Sequence, residues 1–191
     1  MNRLSLLLLF APAFASAQVH YTLEPEPANK SVRITVTTEK SGDQVGYFFP
    51  AWVPGFYVIL KSYQKVSDVK AVDASGKALK ILPQTNPRRW LVENPTHGRV
   101  TLSYRVLGDD PGLGFFAVNV RPKTAFVLGA GAFMYVEGRK EEKTTLNVQN
   151  PAGWDISTSM NAAPDGSFYA RDYDEFVDHP IDLGQMVKRQ F

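Results

Sequence analysis

Histidine is the side chain most often used for acid–base and metal chemistry near neutral pH, and this sequence contains few of them. The three are His20, His97 and His179, and none belongs to an H-E-x-x-H pair, the helical spacing of a common zinc site. No G-x-S-x-G turn presents a serine nucleophile, and the absence of cysteine excludes thiol catalysis. The sequence therefore predicts no catalytic residue and no metal ligand in this chain.

A cluster of carboxylates near the C-terminus is the densest concentration of charge. Oxygen ligands of this kind can bind a divalent cation, but the cluster lacks the alternating ligand positions and the turn glycine of a calcium loop. Acidic residues also favour the start of a helix, and Asp172 is placed as a possible N-cap. We favour the helix start for the residues Asp172, Asp174, Glu175 and Asp178, with Asp182 beyond them.

Residues 47–57 form an aromatic-rich segment with two prolines, Pro50 and Pro54. Because proline fixes the backbone and removes a donor, we expect a rigid loop that leaves a strand. Large rings on such a loop form either a recognition surface or a plug at the end of the fold. Of the two, the plug is favoured, and Trp52 and Tyr57 are the candidates for a recognition surface.

The composition is that of one ordinary globular domain. The chain has 191 residues, of which 44% are hydrophobic and 21% charged. Its formal net charge is only +2, and lysine and arginine are scattered rather than clustered, which argues against nucleic acid as a partner. No disulfide is available, so we expect the core alone to stabilise the domain.

The first 17 residues have the pattern of a signal peptide. A basic start precedes the apolar run 4–14, and Ala15-Ser16-Ala17 is an A-x-A cleavage signal. The run is shorter than the roughly 20 residues of a spanning helix, and Pro12 interrupts it. We therefore predict an exported protein, periplasmic or secreted after removal of residues 1–17, without a transmembrane segment.

Alternation of apolar and polar residues is the main pattern in the remainder of the chain, and turn residues separate the alternating segments. Few short helices are expected, at Gly55–Ser62 and Asp172–Val177. The sequence predicts an all-β fold, an antiparallel β-sandwich. The expected strands lie near residues 19–23, 32–36, 45–49, 66–72, 89–92, 100–106, 125–128, 133–136, 144–148 and 154–158.

Four motifs resemble the N-terminal domain of the glycyl-aminopeptidase family of zinc metallopeptidases, whose members usually end in a PDZ domain. The segment 50–57 resembles P-A-W-x-P-G-x-Y, and 89–92 resembles the family's K-x-x-W-x-V piece. The strand that contains Trp154 resembles P-x-x-W-x-x-x-T. Residues 168–184 resemble F-x-A-x-D-Y-D-x-L-x-D-x-P-x-E-x-G, the junction to the catalytic domain, with Asp182 where the family more often has glutamate.

The resemblance implies a noncatalytic β-sandwich over residues 18–182 and a truncated connector over 183–191. The family's zinc ligands and general base belong to a thermolysin-like domain for which this chain has no matching residues. Zinc is therefore expected only in that missing catalytic domain, and this chain is expected to have no cofactor and no enzymatic activity of its own.

Two functions remain open from the sequence. The first is an accessory domain that packs on a metallopeptidase catalytic domain, in cis or in trans, and forms one wall of the substrate cleft. The second is an independent periplasmic module that binds a peptide or glycan; a self-sufficient enzyme is disfavoured because no motif supports it. For the first function we expect an exposed apolar patch near Val177 and the tail, and the candidate interface residues are Trp52, Tyr57, Tyr173 and Phe176.

Overall fold

A computed structural model describes residues 18–52, 59–110 and 118–187. The regular elements of these ranges are mostly strands. The helix α1 is Tyr173–Asp178, and three short 3-10 turns are Pro27–Asn29, Ser62–Lys65 and Gly129–Gly131. The strands are β1 Gln18–Glu26, β2 Ser31–Thr38, β3 Gln44–Phe48, β4 Val66–Asp73, β5 Ile81–Leu82, β6 Arg89–Glu93, β7 Val100–Leu107, β8 Val118–Val120, β9 Thr124–Val127, β10 Tyr135–Val136, β11 Lys143–Val148, β12 Asp155–Thr158, β13 Asn161–Ala162, β14 Phe168–Ala170 and β15 Ile181–Gly184.

The largest sheet has seven strands in the order β13-β14-β11-β1-β2-β7-β4. In β1, β2 and β7 buried side chains alternate with partly buried ones. The pleat causes this alternation, because it points successive side chains to opposite faces of a sheet. The sheet therefore has an apolar face toward the core and a polar face rich in threonine, arginine and glutamate.

One pair of strands in this sheet differs from the antiparallel expectation. β1 and β11 run parallel, with Gln18 opposite Lys143 and Leu23 opposite Val148. The two strands are far apart in the sequence, so no hairpin dictates their relative direction, and a long crossover permits parallel pairing. The alternation of each strand is unchanged by this direction, which is why the sequence pattern did not indicate it.

Two four-stranded sheets cover the apolar face. Their orders are β10-β3-β6-β5 and β12-β15-β9-β8. Inward side chains of these sheets, such as Tyr47, Val92 and Val127, join those of the large sheet in a single hydrophobic core. Sheets packed around one core form an all-β sandwich, which confirms the predicted fold class.

The predicted strands are all present, with ends that differ by a few residues. The strands that the sequence did not indicate are β5, β8, β13, β14 and β15, which have two to four residues each. The predicted helix that begins after Asp172 is confirmed as α1. Of the helix predicted at Gly55–Ser62, residues 55–58 lie outside the described ranges; residues 59–61 are not helical, and Ser62 begins the 3-10 turn Ser62–Lys65.

The C-terminal strand extends beyond the predicted limit of the domain at residue 182. In β15, Leu183 pairs with Ala125 and Gly184 pairs with Thr124. Leu183 is buried, so it belongs to the core of the sandwich rather than to a connector. Among the described residues, no helix has the length and apolar character needed to cross a membrane.

Candidate functional site

An open cleft of about 270 Å³ lies between the segment after β3 and the helix α1. It brings Trp52, from the aromatic-rich segment, to the same place as the helix near the C-terminus. The residues that line it are Pro50, Trp52, Ala130, Tyr135, Lys140, Tyr173, Asp174, Val177 and Asp178.

Trp52 is held at the mouth of this cleft by the segment that leaves β3. Phe49 is fully buried, and its N–H donates to the carbonyl of Arg88 at 2.8 Å. The N–H of Leu60 donates to the carbonyl of Ala51 at 2.7 Å, which holds the backbone next to Trp52 against the described residues that follow Ile59. The anchored backbone leaves the indole 56% exposed, so the ring faces outward rather than plugging the core.

Helix α1 forms the other side of the cleft. The carboxylate of its N-cap, Asp172, accepts from the N–H of Glu175 at 2.7 Å, which satisfies a donor that the first turn leaves unpaired. The side chain of Glu175 in turn accepts from the N–H of Arg171 at 2.6 Å. Asp174 and Asp178 are four residues apart, a spacing that places both carboxylates on one face of the helix.

Three buried tyrosines fix the segment behind the cleft. The hydroxyls of Tyr104, Tyr173 and Tyr21 donate to three consecutive carbonyls, those of Ala132, Phe133 and Met134, at 2.9, 2.6 and 2.7 Å respectively. Burial raises the pKa of each of these phenols above its usual range, so the hydroxyls remain protonated donors. This tyrosine clamp fixes the backbone between Ala130 and Tyr135, both of which line the cleft.

The charges of the cleft are concentrated on one lysine and two aspartates. The ammonium of Lys140 lies 5.4 Å from the ring centroid of Tyr135 and 5.6 Å from that of Tyr173. It also pairs with a carboxylate oxygen of Asp174 at 2.6 Å. The side chain of Asp178 has no hydrogen bond or ion pair with the described residues. Lys140 therefore neutralises one of the two carboxylates, and the cleft keeps a net charge of about −1.

The candidate interface residues have different environments. Trp52 and Tyr173 line the same cleft, although the ring of Tyr173 is only 4% exposed. Phe176 is 1% exposed and packs against Tyr21 and Phe133, with ring centroids 4.7 and 4.6 Å apart. The expectation that Phe176 lies on an exposed patch is therefore wrong, because the aromatic face of α1 completes the chain's own core.

The rest of the expected patch is also different from the prediction. Val177 is buried at 9% exposure, whereas Val187 in the tail is 84% exposed. Tyr57 lies outside the described residues, and its role stays a prediction. The side chains that the sequence did not single out are Tyr135 and Lys140, because no local pattern connects them to residue 52.

The histidines lie on separate elements. The Nδ1 atoms of His20 and His179 are each 2.7 Å from a hydroxyl, that of Thr145 and that of Ser159. His97 occupies a turn with φ of 51° and lies 3.0 Å from an oxygen of Asp43. Within the described ranges, no three histidine or acidic side chains are grouped as a metal site.

The fold of this chain also occurs in solved structures. A solved aminopeptidase N family protein from Idiomarina loihiensis superposes with a TM-score of 0.81 at 22% identity, over 91% of this chain and 30% of that chain. Yeast LTA4 hydrolase, solved in complex with bestatin, superposes with a TM-score of 0.49 at 11% identity, over 92% of this chain and 29% of that chain. The chain thus spans about three tenths of the length of these proteins, and no curated protein sequence matches it.

The sequence match is more specific than the structural one. Residues 20–185 match the family model of the Peptidase M61 N-terminal domain, which covers nearly the whole described fold. The match also includes the aromatic-rich segment and the junction 168–184, on which the resemblance to a metallopeptidase N-terminal domain was based. The chain therefore belongs to the Peptidase M61 N-terminal domain family.

Proposed function

We propose that this chain is the noncatalytic N-terminal domain of an exported zinc metallopeptidase and that the Trp52 cleft packs against the catalytic domain. In that position the cleft forms part of one wall of the substrate-binding site. The observation that carries the proposal is the exposed indole of Trp52, held by an anchored backbone beside α1. The family membership supports it, because a family of N-terminal domains implies a domain that follows.

The exposure of large apolar side chains near the cleft supports a covering partner. Trp52 is 56% exposed and Ile59, whose neighbour Leu60 is hydrogen-bonded to Ala51, is 73% exposed. Interfaces between domains of one chain typically bury about 600–1,500 Å², which would cover such a region. Large aromatic anchors at the centre of an interface carry much of its binding energy, and tryptophan is prominent among them.

The chemistry of the whole peptidase is assigned to the other domain. Zinc, its ligands and the general base would lie in the catalytic domain, and no catalytic or metal-binding role is proposed for a residue of this chain. The contribution of this domain is to position and enclose the substrate. That role requires a rigid surface, which the tyrosine clamp supplies.

Export is proposed from the N-terminal sequence. Residues 1–17 have the signal-peptide pattern, with a basic start, the apolar run 4–14 and the A-x-A cleavage signal Ala15-Ser16-Ala17. Fractionation of cells that express the gene, with N-terminal sequencing of the product, tests this location; a cytoplasmic product that retains Met1 contradicts it.

The partner is tested through the coding sequence that follows the one described here. We expect an H-E-x-x-H catalytic domain in the same reading frame or in an adjacent gene. Its absence would contradict the accessory role and favour the second function, an independent periplasmic module that presents Trp52 to a peptide or glycan.

The docking surface is tested with the two domains produced separately. We expect Trp52→Ala to weaken their association about thirtyfold or more, as truncation of an aromatic anchor does. Leu107→Ala is the matched control, since Leu107 is 39% exposed at the end of β7 and does not line the cleft. Equal dissociation constants for the two variants, measured by calorimetry, would contradict docking through the cleft.

A further inference from the structure

The walls of the Trp52 cleft have the chemistry of a cation site. Its aromatic side chains are Trp52, Tyr135 and Tyr173, and the rings of the two tyrosines lie 5.5 Å apart at 62°. The negative faces of such rings attract ammonium and guanidinium groups. Lys140 already makes this contact with both tyrosines, so the chain itself shows that the cleft holds a positive charge.

One part of the site is still unneutralised. The ammonium of Lys140 forms an ion pair with a carboxylate oxygen of Asp174 at 2.6 Å. The side chain of Asp178 lines the same cleft and has no ion pair among the described residues. Trp52 is likewise exposed, and among the described residues no lysine or arginine lies over its ring. A carboxylate and an aromatic face therefore remain available together.

Covering this cleft has an electrostatic consequence. A domain that packs on Trp52 removes water from Asp178, and an ionised carboxylate without a partner is costly in a dry interface. An apolar covering surface would leave that carboxylate unpaired, and an acidic surface would add repulsion. The surface that covers the cleft must therefore bring a positive charge.

We infer that the Trp52 cleft receives an arginine or lysine side chain presented by the catalytic domain, an inference that rests on the proposed function. The cationic head pairs with Asp178, and its planar or methylene part lies on the indole of Trp52. Arginine fits best, because a guanidinium both stacks on an aromatic face and forms a fork of hydrogen bonds with a carboxylate. The volume of about 270 Å³ accommodates one such side chain beside Lys140.

The chemistry of the site is tested on the purified chain by itself. N-acetyl-arginine methylamide is the probe, and its neutral isostere, N-acetyl-citrulline methylamide, controls for stacking without charge. The readout is the NMR signal of the Trp52 indole N–H, assigned with Trp52→Phe. We expect the arginine probe to shift this signal saturably, and Asp178→Asn to weaken its binding about two- to fivefold, the range for an exposed ion pair.

The matched control variant is Asp43→Asn. Asp43 immediately precedes β3, at the opposite end of that strand from Pro50 and Trp52, and its side chain is 86% exposed. This variant removes the same charge and should bind the arginine probe as the unaltered chain does. Equal responses to the arginine and citrulline probes, no response at Trp52, or equal weakening by both aspartate variants would each overturn the inference.

Two further measurements distinguish this inference from binding of a peptide amine and from the proposed function itself. Glycinamide carries an α-ammonium group and no basic side chain, so binding of glycinamide as tight as that of the arginine probe would assign the cleft to a peptide amine and overturn the inference. In the association assay with the catalytic domain, Asp178→Asn should weaken the complex and Asp43→Asn should not. If the domains associate but Asp178→Asn has no effect, the inference fails while the proposed function stands; if the unaltered domains do not associate, the proposed function itself fails.

Discussion

The tyrosine clamp shows how three single hydroxyls can stabilise an irregular buried segment. Residues 132–134 precede β10 and have no sheet ladder to satisfy their carbonyls, yet they are fully buried. An unpaired backbone carbonyl in such a place is costly, and a tyrosine supplies a donor at the end of a large apolar ring. The clamp thereby connects β1, β7 and α1 to the segment behind the cleft.

Tyr104→Phe tests the clamp at its most connected member. The hydroxyl of Tyr104 donates to Ala132 and also accepts from the N–H of Met134 at 2.8 Å, so its removal leaves two buried groups unpaired. We expect the free energy of unfolding to fall by about 1–3 kcal/mol, measured by urea denaturation. Tyr169→Phe, on the half-buried face of β14, should change stability by less; equal losses would argue against the clamp.

Glu26, on the polar face of the large sheet, is a second residue that we expect to affect stability. Its carboxylate accepts from Arg105 at 2.6 Å and from Arg33 at 2.6 Å, while Arg105 also pairs with Asp68. The hydrogen bond from Arg105, followed by those from Arg33 and Ser31, lowers the pKa of Glu26 from 4.5 to about 2, against the opposing effect of burial.

The lowered pKa of Glu26 predicts a specific acid dependence of stability. Above about pH 4.5 the carboxylate is ionised in both states, and its stabilising contribution is complete. As the pH falls from 4.5 toward 2 the unfolded chain takes up the proton first, so the free energy of unfolding declines across this window. Urea denaturation at several pH values should show a shallower decline for Glu26→Gln, and identical profiles for both proteins would contradict the assignment.

At the scale of elements, the contact between the 3-10 turn Gly129–Gly131 and α1 shapes the cleft. A Cβ atom at Gly129 would lie 2.5 Å from the Cα and 2.6 Å from the carbonyl oxygen of Val177. Only glycine permits this backbone-to-backbone approach. The approach brings Ala130 and Asp178 to the same opening.

Gly129→Ala should separate these two elements. Because the neighbouring atoms belong to the backbone of a helix that is packed into the core, they cannot move away at low cost. We expect a loss of about 1–3 kcal/mol in stability, as for other overpacked sites, measured by thermal and urea unfolding. Gly42→Ala is the control, since its Cβ would meet only the carbonyl of Gln44, at 4.0 Å. A Gly129→Ala protein as stable as Gly42→Ala would show that the contact is not tight.

At the scale of the whole molecule, the polar face of the large sheet covers one side of the sandwich, and the Trp52 cleft lies at the end of a smaller sheet. We propose that the hydrolytic chemistry belongs entirely to the catalytic domain and not to this fold. We expect the purified chain to release no amine from aminoacyl or peptide substrates, with or without added zinc. Hydrolysis that persists through a second purification and disappears with a chelator would contradict this prediction.

Much of the architecture could be predicted from local patterns. The alternation around Val32–Val36 and Val100–Val106 follows from the pleat, and the cap at Asp172 needs only its neighbours within one turn. The strands of two to four residues could not be predicted, because alternation needs a longer run to be visible. The direction of β11 relative to β1 could not be predicted either, since it depends on a partner distant in the sequence.

Some features of the candidate site could also be predicted from the sequence, and others could not. The prominence of Trp52 and the helix start at Asp172 were evident from residue types and spacing alone. The sequence could not show whether Phe176 faces solvent or the core, because a six-residue helix has too little periodicity to identify its buried face. The meeting of Trp52 with Tyr135, Lys140 and Asp178 was decided only by the tertiary structure, since these side chains lie on separate elements that the core and the tyrosine clamp bring together.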